Sequence, residues 1–236
     1  MSLANAAALQ SLALSEVPIG CCISHPALGV LSTAHNLVNA SRDPTRHAEM
    51  VALDRLFADG QSSDRLCLNK PPPTPGNPPY VKRSRAEVLE LLKESTLYVN
   101  CEPCIQCAGA LRVVGIKRVV YGCANPRFGG AGTLLPLHES SFLPDGRPGY
   151  EVVGGVGERE AVNVLRMFYD QENGQAPESK KRKKEGKRRA DYGEAAGEAA
   201  GEAAGGAAGV AAGEAAGEAA GETAEGTEKK AKKEGE

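Results

Sequence analysis

The 236-residue sequence lacks the features of a membrane-spanning or secreted protein. It has no apolar run long enough to cross a bilayer, and no basic stretch precedes the alanines of its first ten residues. Its seven cysteines are odd in number and irregularly spaced, which argues against a disulfide framework. We therefore expect an intracellular protein with no signal peptide and no association with a membrane.

Core-forming hydrophobic periodicity is missing from the C-terminal part of the chain. Residues 1–173 predict a folded domain, whereas residues 174–192 form a basic extension and residues 193–236 repeat Glu-Ala-Ala-Gly. A glycine at every fourth position costs a helix about 1 kcal/mol each, and this repeat has no large apolar side chain to bury. We expect the repeat to be disordered, with a marginal exposed helix as the alternative.

The pattern Pro103-Cys104-Ile105-Gln106-Cys107 predicts half of a metal site at the start of a helix. Cysteines three residues apart in a first helical turn face the same way, and the positive end of the helix dipole favours their thiolates. Adding His47 gives three ligands, so a tetrahedral zinc ion keeps a fourth position for water. Zinc lowers the pKa of such a water until it is a nucleophile near neutral pH.

Glu49 lies two residues after His47, so both side chains reach one site only near a helix start. A carboxylate there can carry protons from water to a substrate ring nitrogen and then to a departing amine. A lone C-x-x-C is commonly a structural zinc half-site or a redox pair, and a lone His is commonly a core or surface residue. Together, however, H-x-E and P-C-x-x-C form the known signature of zinc-dependent nucleobase deaminases. The remaining cysteines contain no second C-x-x-C, and we interpret them as small apolar residues: Cys21, Cys22, Cys67, Cys101 and Cys123.

The order of predicted elements indicates an α/β fold. The strand at 96–100, the helix that begins at the metal cysteines and ends near residue 114, and the strand at 117–121 form a right-handed parallel unit. The whole predicts a three-layer α/β/α sandwich, with helices on both faces of a mixed central sheet. The other predicted elements are helices at 4–14, 46–58, 85–93 and 161–169, a hairpin of strands 17–24 and 30–35, and a proline-rich surface loop at 71–79.

Several motifs in order along the chain resemble the tRNA adenosine deaminases. The similarity extends from about Ala4 to Arg189 and is greatest to the catalytic subunit of the eukaryotic heterodimeric enzyme that deaminates the anticodon wobble adenosine. The motifs are Glu16-Val17-Pro18-Ile19-Gly20, Asn36, His47-Ala48-Glu49-Met50, Leu97-Tyr98-Val99, Glu102 to Ala108, Tyr121-Gly122-Cys123, Gly129 to Gly132, and Phe168 to Asn173 followed by Ala176-Pro177 and a basic block.

This resemblance implies a cytidine-deaminase-like fold, Zn²⁺ on His47, Cys104 and Cys107, and Glu49 as the proton shuttle. It also implies a partner, a related subunit that lacks the catalytic Glu and helps to hold tRNA. Asn36 is expected to contact the extruded target nucleotide, with a turn residue that satisfies its own backbone as the alternative. The side chains of Ala48 and Val17 are expected to line the pocket, although Val17 also fits a core position.

The basic block is expected to bind tRNA phosphates through eight cationic side chains: Lys180, Lys181, Arg182, Lys183, Lys184, Lys187, Arg188 and Arg189. A nuclear-localisation signal is the competing interpretation, so residence in the nucleus, the cytoplasm or both is expected.

Three functions compete at this point. The leading one is the conversion of adenosine to inosine at position 34 of tRNA anticodons, whose bases are already unpaired. A deaminase of cytidine or of free nucleotides would share the metal site, but it has no need of a basic arm. A non-catalytic tRNA-binding subunit is the third, and the presence of Glu49 argues against it.

Overall fold

The structure, a computed structural model, describes residues 1–57, 76 and 81–170. The predictions for Cys67, the basic block and the Glu-Ala-Ala-Gly repeat lie outside these residues, as does the proline-rich loop apart from Gly76. None of the helices in the described ranges combines the length and the apolar character that a bilayer crossing requires.

Eleven helices and strands make up the described part of the chain. They follow the order α1 (Ser2–Ala13), β1 (Gly20–His25), β2 (Gly29–His35), α2 (Val38–Ser41), α3 (Ala48–Phe57), α4 (Arg85–Leu92), β3 (Thr96–Cys101), α5 (Ile105–Val114), β4 (Arg118–Cys123), β5 (Glu151–Val153) and α6 (Glu158–Asp170).

The five strands form one mixed sheet in the order β2-β1-β3-β4-β5. Strand β1 pairs antiparallel with β2 and with β3, whereas β3–β4 and β4–β5 are parallel. The predicted hairpin and the parallel β3-α5-β4 unit are therefore confirmed. Strand β4 lies between β3 and β5, inside the sheet, as the nearly continuous apolar character of residues 117–121 predicts.

Helices cover both faces of the sheet, which confirms the three-layer sandwich. Helices α1 and α6 contact each other on one face, and α3 contacts α4 and α5 on the other. The main core lies between the sheet and this second group of helices. Its members alternate along each strand, as a sheet buried on both faces requires: Cys21 and Ile23 from β1, Leu97 and Val99 from β3, Val119 from β4, with Val51, Val88, Leu92 and Leu111 from the helices.

Two glycines let helices pack directly on the sheet. A Cβ on Gly20 would lie 2.2 Å from the backbone nitrogen of Ala8 and 2.3 Å from the carbonyl oxygen of Ala4. A Cβ on Gly122 would lie 2.8 Å from the Cβ of Ala161 in α6. This close approach selects the small residues Ala4, Ala7, Ala8 and Ser11 as the buried face of α1, a face that apolar patterning alone did not fix.

Some predicted boundaries are wrong. Strand β1 begins at Gly20 and not at Val17, because Pro18 lacks an N–H and the Ile19 N–H bonds back to the Val17 carbonyl at 2.7 Å. Helix α3 begins at Ala48 and not at residue 46, and α5 begins at Ile105, one residue after the first metal cysteine. Helix α2 and strand β5 were not predicted, since both are too short for a periodic signal.

The apolar spacing of residues 161–169 predicts that Val162, Leu165 and either Phe168 or Tyr169 face inward, and the structure differs from this prediction. Ala161 and Val164 are its buried residues, whereas Val162, Leu165 and Phe168 are half-buried and Tyr169 is 64% exposed. The helix lies close enough to β4 at Gly122 that a small alanine, and not a larger side chain, occupies the contact.

We predict that Gly20→Ala lowers the free energy of unfolding by about 2–3 kcal/mol, because the new methyl group overlaps the backbone of α1. Gly109→Ala is the matched control, since a Cβ there meets no atom within 4 Å and a helical alanine is favoured over glycine by about 0.5–1 kcal/mol. Urea unfolding of both variants tests this prediction. Equal stability of Gly20→Ala and the unmodified chain would contradict the close packing of α1.

Candidate active site and metal centre

The predicted site residues gather at one edge of the sheet. This edge contains the ends of β2, β3 and β4 and the beginning of β1, because β1 runs antiparallel to its neighbours. The chain leaves β2 at His35 and β3 at Cys101, and from there it enters the helices that carry the candidate ligands. The carboxyl ends of strands are a common place for ligand sites in α/β proteins.

His47 occupies the residue before helix α3. Its carbonyl oxygen accepts the first helical hydrogen bond from Val51 N at 2.9 Å. The N–H of Ala48, the first helical residue, donates to Asn36 Oδ1 at 2.9 Å, so a side chain twelve residues away caps the helix. Glu49 is therefore in the first turn, directly beyond the change of direction that the H-x-E spacing requires.

Cys104 occupies the equivalent position at helix α5. Its extended backbone (φ −68°, ψ 169°) makes it the N-cap, and Cys107 follows within the first turn. The Ala108 N–H donates to the carbonyl of Cys104 at 2.8 Å, which closes that turn. Two helix N-termini thus converge, each with its first candidate ligand at the cap position, and their dipoles favour negative charge on the sulfurs.

His47, Cys104 and Cys107 form a group that fits a tetrahedral zinc ion. Their ligand atoms all lie within 4.8 Å of one another, and His47 Nδ1 is 3.4 Å from Cys104 Sγ and 3.6 Å from Cys107 Sγ. Zinc held at about 2.0–2.1 Å from nitrogen and about 2.3 Å from sulfur separates the two atoms by roughly 3.6 Å at a tetrahedral angle. One nitrogen and two sulfurs are also the donor types that zinc prefers.

Ionisation of the two cysteines is unequal. The hydrogen bond from Cys107 lowers the pKa of Cys104 to about 4, and the same hydrogen bond raises the pKa of Cys107. Hydrogen bonding to Cys104 raises the pKa of His47. One thiolate therefore forms readily. A second thiolate would be repelled by the negative charges of the first and of Glu49. A divalent cation compensates this repulsion, which is a further reason to assign the group to a metal.

Glu49 adjoins this group. Its side chain is 3% exposed, and its Oε2 accepts a hydrogen bond from Cys107 Sγ at 3.4 Å. Burial raises the pKa of Glu49 toward neutral pH. A carboxyl group with such a pKa both accepts and returns protons efficiently. The arrangement can therefore support proton transfer next to a metal held by one imidazole and two thiolates.

Comparison with known proteins agrees with this geometry. The family described as the cytidine and deoxycytidylate deaminase zinc-binding region matches residues 1–123. The tRNA-specific adenosine deaminase 2 of Xenopus tropicalis is 39% identical over 170 residues, which cover 72% of this chain and 86% of that protein. This chain belongs to the tRNA-specific adenosine deaminases of that zinc-binding family. The resemblance seen in the sequence motifs is thereby confirmed, and so is the assignment of zinc as the cofactor.

Other relatives extend the comparison. The tRNA-specific adenosine deaminase 2 of Danio rerio is 37% identical over 176 residues, covering 75% of this chain and 72% of that protein. The tRNA-specific adenosine deaminase subunit tad2 of Schizosaccharomyces pombe is 34% identical over 185 residues, covering 78% of this chain and 40% of that protein. A structure from a study of A-to-I editing by tRNA A34 deaminases is 24% identical, has a TM-score of 0.50 and covers 70% of this chain and 96% of its own, which supports the fold.

Two asparagines hold the segment that enters β1 in this deaminase. Asn36 Nδ2 donates to the Val17 carbonyl at 3.1 Å, and Asn100 Nδ2 donates to the Pro18 carbonyl at 2.9 Å. Asn100 Oδ1 also accepts the Gly20 N–H at 2.9 Å. The oxygen and one N–H of the Asn36 amide are therefore bonded to backbone groups 12 and 19 positions away and not to its own turn, and the second N–H of Nδ2 takes no part in these bonds. Val17 is half-buried and Ala48 is fully buried.

Glu102 organises the loop that follows β4, a role that sequence reasoning missed. Its buried carboxylate accepts the N–H groups of Asn125 at 2.9 Å, Ala131 at 3.1 Å and Thr133 at 3.0 Å. A Cβ on Gly129 would lie 2.4 Å from the same carboxylate, which explains the glycine. The available signal was an acidic residue directly after a buried strand, inside the motif that also carries the metal cysteines.

Arg112 was also missed. The guanidinium of this α5 residue is 1% exposed and donates to the carbonyl oxygens of Leu137, Glu139, Ser140 and Arg147 and to Asp145 Oδ1. It therefore fixes the segment at 137–147 against the helix that carries Cys107. Of the other cysteines, Cys21, Cys22 and Cys123 are buried and Cys101 is half-buried, in agreement with their interpretation as small apolar residues.

We predict that Glu102→Ala accelerates amide exchange at Asn125, Ala131 and Thr133, which lose their acceptor, and destabilises the fold, because the unpaired buried N–H of Ala131 alone costs about 1–3 kcal/mol. Glu102→Gln should show a smaller effect, since one acceptor oxygen remains. Hydrogen exchange followed residue by residue, together with urea unfolding, gives both quantities.

The exposed Glu94→Gln serves as the matched control for removal of a carboxylate charge. Exchange rates in residues 125–133 that remain unchanged in Glu102→Ala would show that another group orders this loop.

Proposed function

We propose that this chain hydrolyses adenosine to inosine, with release of ammonia, at wobble position 34 of tRNA anticodons. The observation that carries the proposal is the buried Glu49 carboxylate beside the His47, Cys104 and Cys107 group. Support comes from relatives at 37–39% identity that are named tRNA-specific adenosine deaminase 2 and match most of this chain's folded part.

Zinc would be held by His47 Nδ1 and by the two sulfurs. When bound, it supplies a Lewis acid that lowers the pKa of a water molecule into the neutral range. Glu49 Oε2 takes up a proton from the attacking water, delivers it to a ring nitrogen of adenine and later returns a proton to the departing amine. Because the carboxylate is buried and adjoins Cys107, these transfers occur away from bulk water.

The target nucleotide would be positioned by three residues around the start of α3. Asn36 offers the N–H of Nδ2 that does not bond Val17, while its oxygen keeps the Ala48 N–H and so fixes the amide plane. Ala48 and Val17 provide small apolar walls. A pocket of this kind requires an extruded base, and an anticodon loop supplies one at low cost because its bases are unpaired.

Affinity for tRNA would come largely from the basic extension at residues 174–192, beyond the deaminase domain at 1–173. Its eight Lys and Arg side chains from Lys180 to Arg189 would neutralise backbone phosphates. The repeat at 193–236 is assigned no part in catalysis. A nuclear-localisation role for the same basic block is compatible with this proposal, and the protein would then reside in the nucleus as well as the cytoplasm.

A related deaminase-like subunit without the catalytic carboxylate would complete the enzyme as a heterodimer. The tRNA substrate spans far more than the pocket around Glu49, and a second subunit would add surface for its stem. Assays of the purified chain with and without such a co-expressed subunit, on a tRNA transcript with adenosine at position 34, separate adenosine deamination from the two alternatives.

We predict that Glu49→Gln lowers inosine formation by roughly 10²- to 10⁴-fold while zinc content stays at one ion per chain, because only the proton carrier is removed. The amide keeps the shape of the side chain but has no basic oxygen. Inosine measured by nuclease digestion and mass spectrometry, with zinc measured by elemental analysis, provides the two readouts.

His47→Ala is the contrasting variant and should lose zinc and inosine together, because it removes a ligand. Full inosine formation in Glu49→Gln would overturn the role of this carboxylate. Conversion of cytidine in place of adenosine by the unmodified heterodimer would instead overturn the proposed substrate.

We predict that replacing Lys181, Arg182, Lys183 and Lys184 by alanine weakens tRNA binding and leaves zinc content unchanged. Each lost phosphate contact should reduce the slope of log affinity against log salt concentration by about 0.7–0.9. Filter binding of the tRNA across a salt titration measures both affinity and slope.

The matched control replaces Lys229, Lys230, Lys232 and Lys233, which removes the same charge near the C-terminus. Equal losses in both variants would show that net charge alone is responsible. An unchanged slope in the first variant would remove the proposed role of the basic block.

A further inference from the structure

An exposed aromatic side chain belongs to the turn that contacts the start of α5, where the first metal cysteine lies. Phe128 is 52% exposed, in a chain whose aromatic content is only 4%. The guanidinium carbon of Arg127 lies 5.0 Å from the centre of its ring, within the range of a cation–π interaction. Neither side chain takes part in the proton transfers or in metal binding as described above.

The backbone beneath Phe128 is fixed. Its N–H donates to Asn125 Oδ1 at 3.1 Å, and the Gly129 N–H donates to the carbonyl of Asn125 at 2.8 Å. The Asn125 N–H in turn donates to buried Glu102. The turn at 125–129 is therefore ordered by buried and local hydrogen bonds, so an exposed ring on it is presented in advance of any binding event.

This turn also touches the start of α5. The carbonyl of Phe128 accepts the Ile105 N–H at 2.9 Å, the Gly130 N–H donates to the carbonyl of Pro103 at 2.8 Å, and Cys104 forms an isolated bridge with Gly129. Phe128 is thus bonded to the residue that directly follows the first metal cysteine. The backbone that carries the ring is therefore adjacent to the first metal cysteine.

We propose that Phe128 and Arg127 form a stacking platform for the base of one nucleotide that flanks the target adenosine, with Arg127 also facing an adjacent phosphate. This inference rests on the proposed function and assigns it a second nucleotide contact. Single-stranded RNA is commonly held by aromatic rings and guanidinium planes on which unpaired bases stack. A base next to the extruded target along the strand loses a stacking neighbour, and Phe128 replaces it.

The competing occupant is a protein surface. Ile105 and Leu134, which is bonded through its N–H to the Gly129 carbonyl, are both exposed apolar residues near Phe128. A protein interface would, however, bury the Arg127 charge without an acidic partner on this loop, whereas RNA provides a phosphate for it. The neighbourhood of the deamination site also brings RNA to this face in every productive complex.

The test uses the full-length chain with its partner subunit and an anticodon stem-loop RNA that carries the fluorescent base 2-aminopurine at position 33 or 35. Stacking on Phe128 should change the fluorescence of one of the two probes on binding. In Phe128→Ala this change should vanish and the Kd should rise by roughly 5- to 150-fold. Phe128→Trp should restore both.

Val113→Ala is the matched control, because Val113 is an exposed apolar residue at the far end of α5. Zinc content should equal that of the unmodified chain in all three variants. Replacing the probed nucleotide with an abasic one should abolish the effect of Phe128→Ala on binding, since the partner of the ring is then absent.

Equal effects of Phe128→Ala on the intact and both abasic RNAs would overturn the proposal. Loss of the partner subunit from purified Phe128→Ala would overturn it in favour of a protein interface. These readouts are of binding and not of turnover. A chain that stacks the probe but forms no inosine would therefore leave the platform standing and refute the proposed deamination.

Discussion

The convergence of two helix N-termini at one edge of the sheet is the constraint on which the site depends. His47 precedes α3 and Cys104 precedes α5, and both positions follow strands that end at the same edge. Helix dipoles make this point positive, which suits two thiolates and a carboxylate that would otherwise repel one another. The hydrogen bond between the two cysteines lowers the pKa of Cys104 and raises that of Cys107, so one thiolate forms readily and a divalent cation would stabilise the second.

Buried polar side chains keep these two helix starts in register. Asn36 connects Val17 to Ala48, Asn100 connects Pro18 and Gly20 to the end of β3, and Glu102 connects β3 to the loop at 125–133. Each of them satisfies backbone groups at places where the sheet ladder has ended and helices have not yet begun. The edge of the sheet is therefore rigid without regular secondary structure, which lets irregular backbone line a functional site.

The sequence predicted the parts of this fold that have a local signal. The hairpin, the parallel unit and the metal ligands followed from strand patterning and from a cysteine spacing that a first helical turn requires, and the chain's family membership confirms the zinc assignment. The buried face of α1 did not follow, because the selecting contact is with Gly20 across the layer. The predicted inward face of α6, with Val162, Leu165 and either Phe168 or Tyr169, differs from the observed one for a similar reason, since β4 approaches α6 at Ala161.

The hydrogen bonds made by buried polar side chains could not be predicted from local sequence, for a different physical reason. Asn100 bonds residues about 80 positions away, and Arg112 reaches a segment 25–35 positions further along the chain. Asparagine and arginine occur at such places without any periodicity, and their partners are backbone groups that every residue has. Only the folded structure shows which carbonyl and N–H groups at the edge of the sheet have no partner within a strand or helix. Buried polar residues at the ends of predicted strands are thus the positions where a sequence interpretation gains most from coordinates.

The residues proposed for catalysis and those proposed for RNA recognition are attached to different parts of the structure. The metal ligands and Glu49 are attached to helix starts, whose geometry is set by capping and by the core beneath them. The turn at 125–129 is attached to the same edge only through Glu102 and a few backbone bonds, and its side chains Arg127 and Phe128 contribute nothing to the core. With the proposed platform, changes there would alter which RNA is bound without disturbing the proton carrier. A common catalytic edge can therefore serve related deaminases with different substrates, since only the attached loops need to differ.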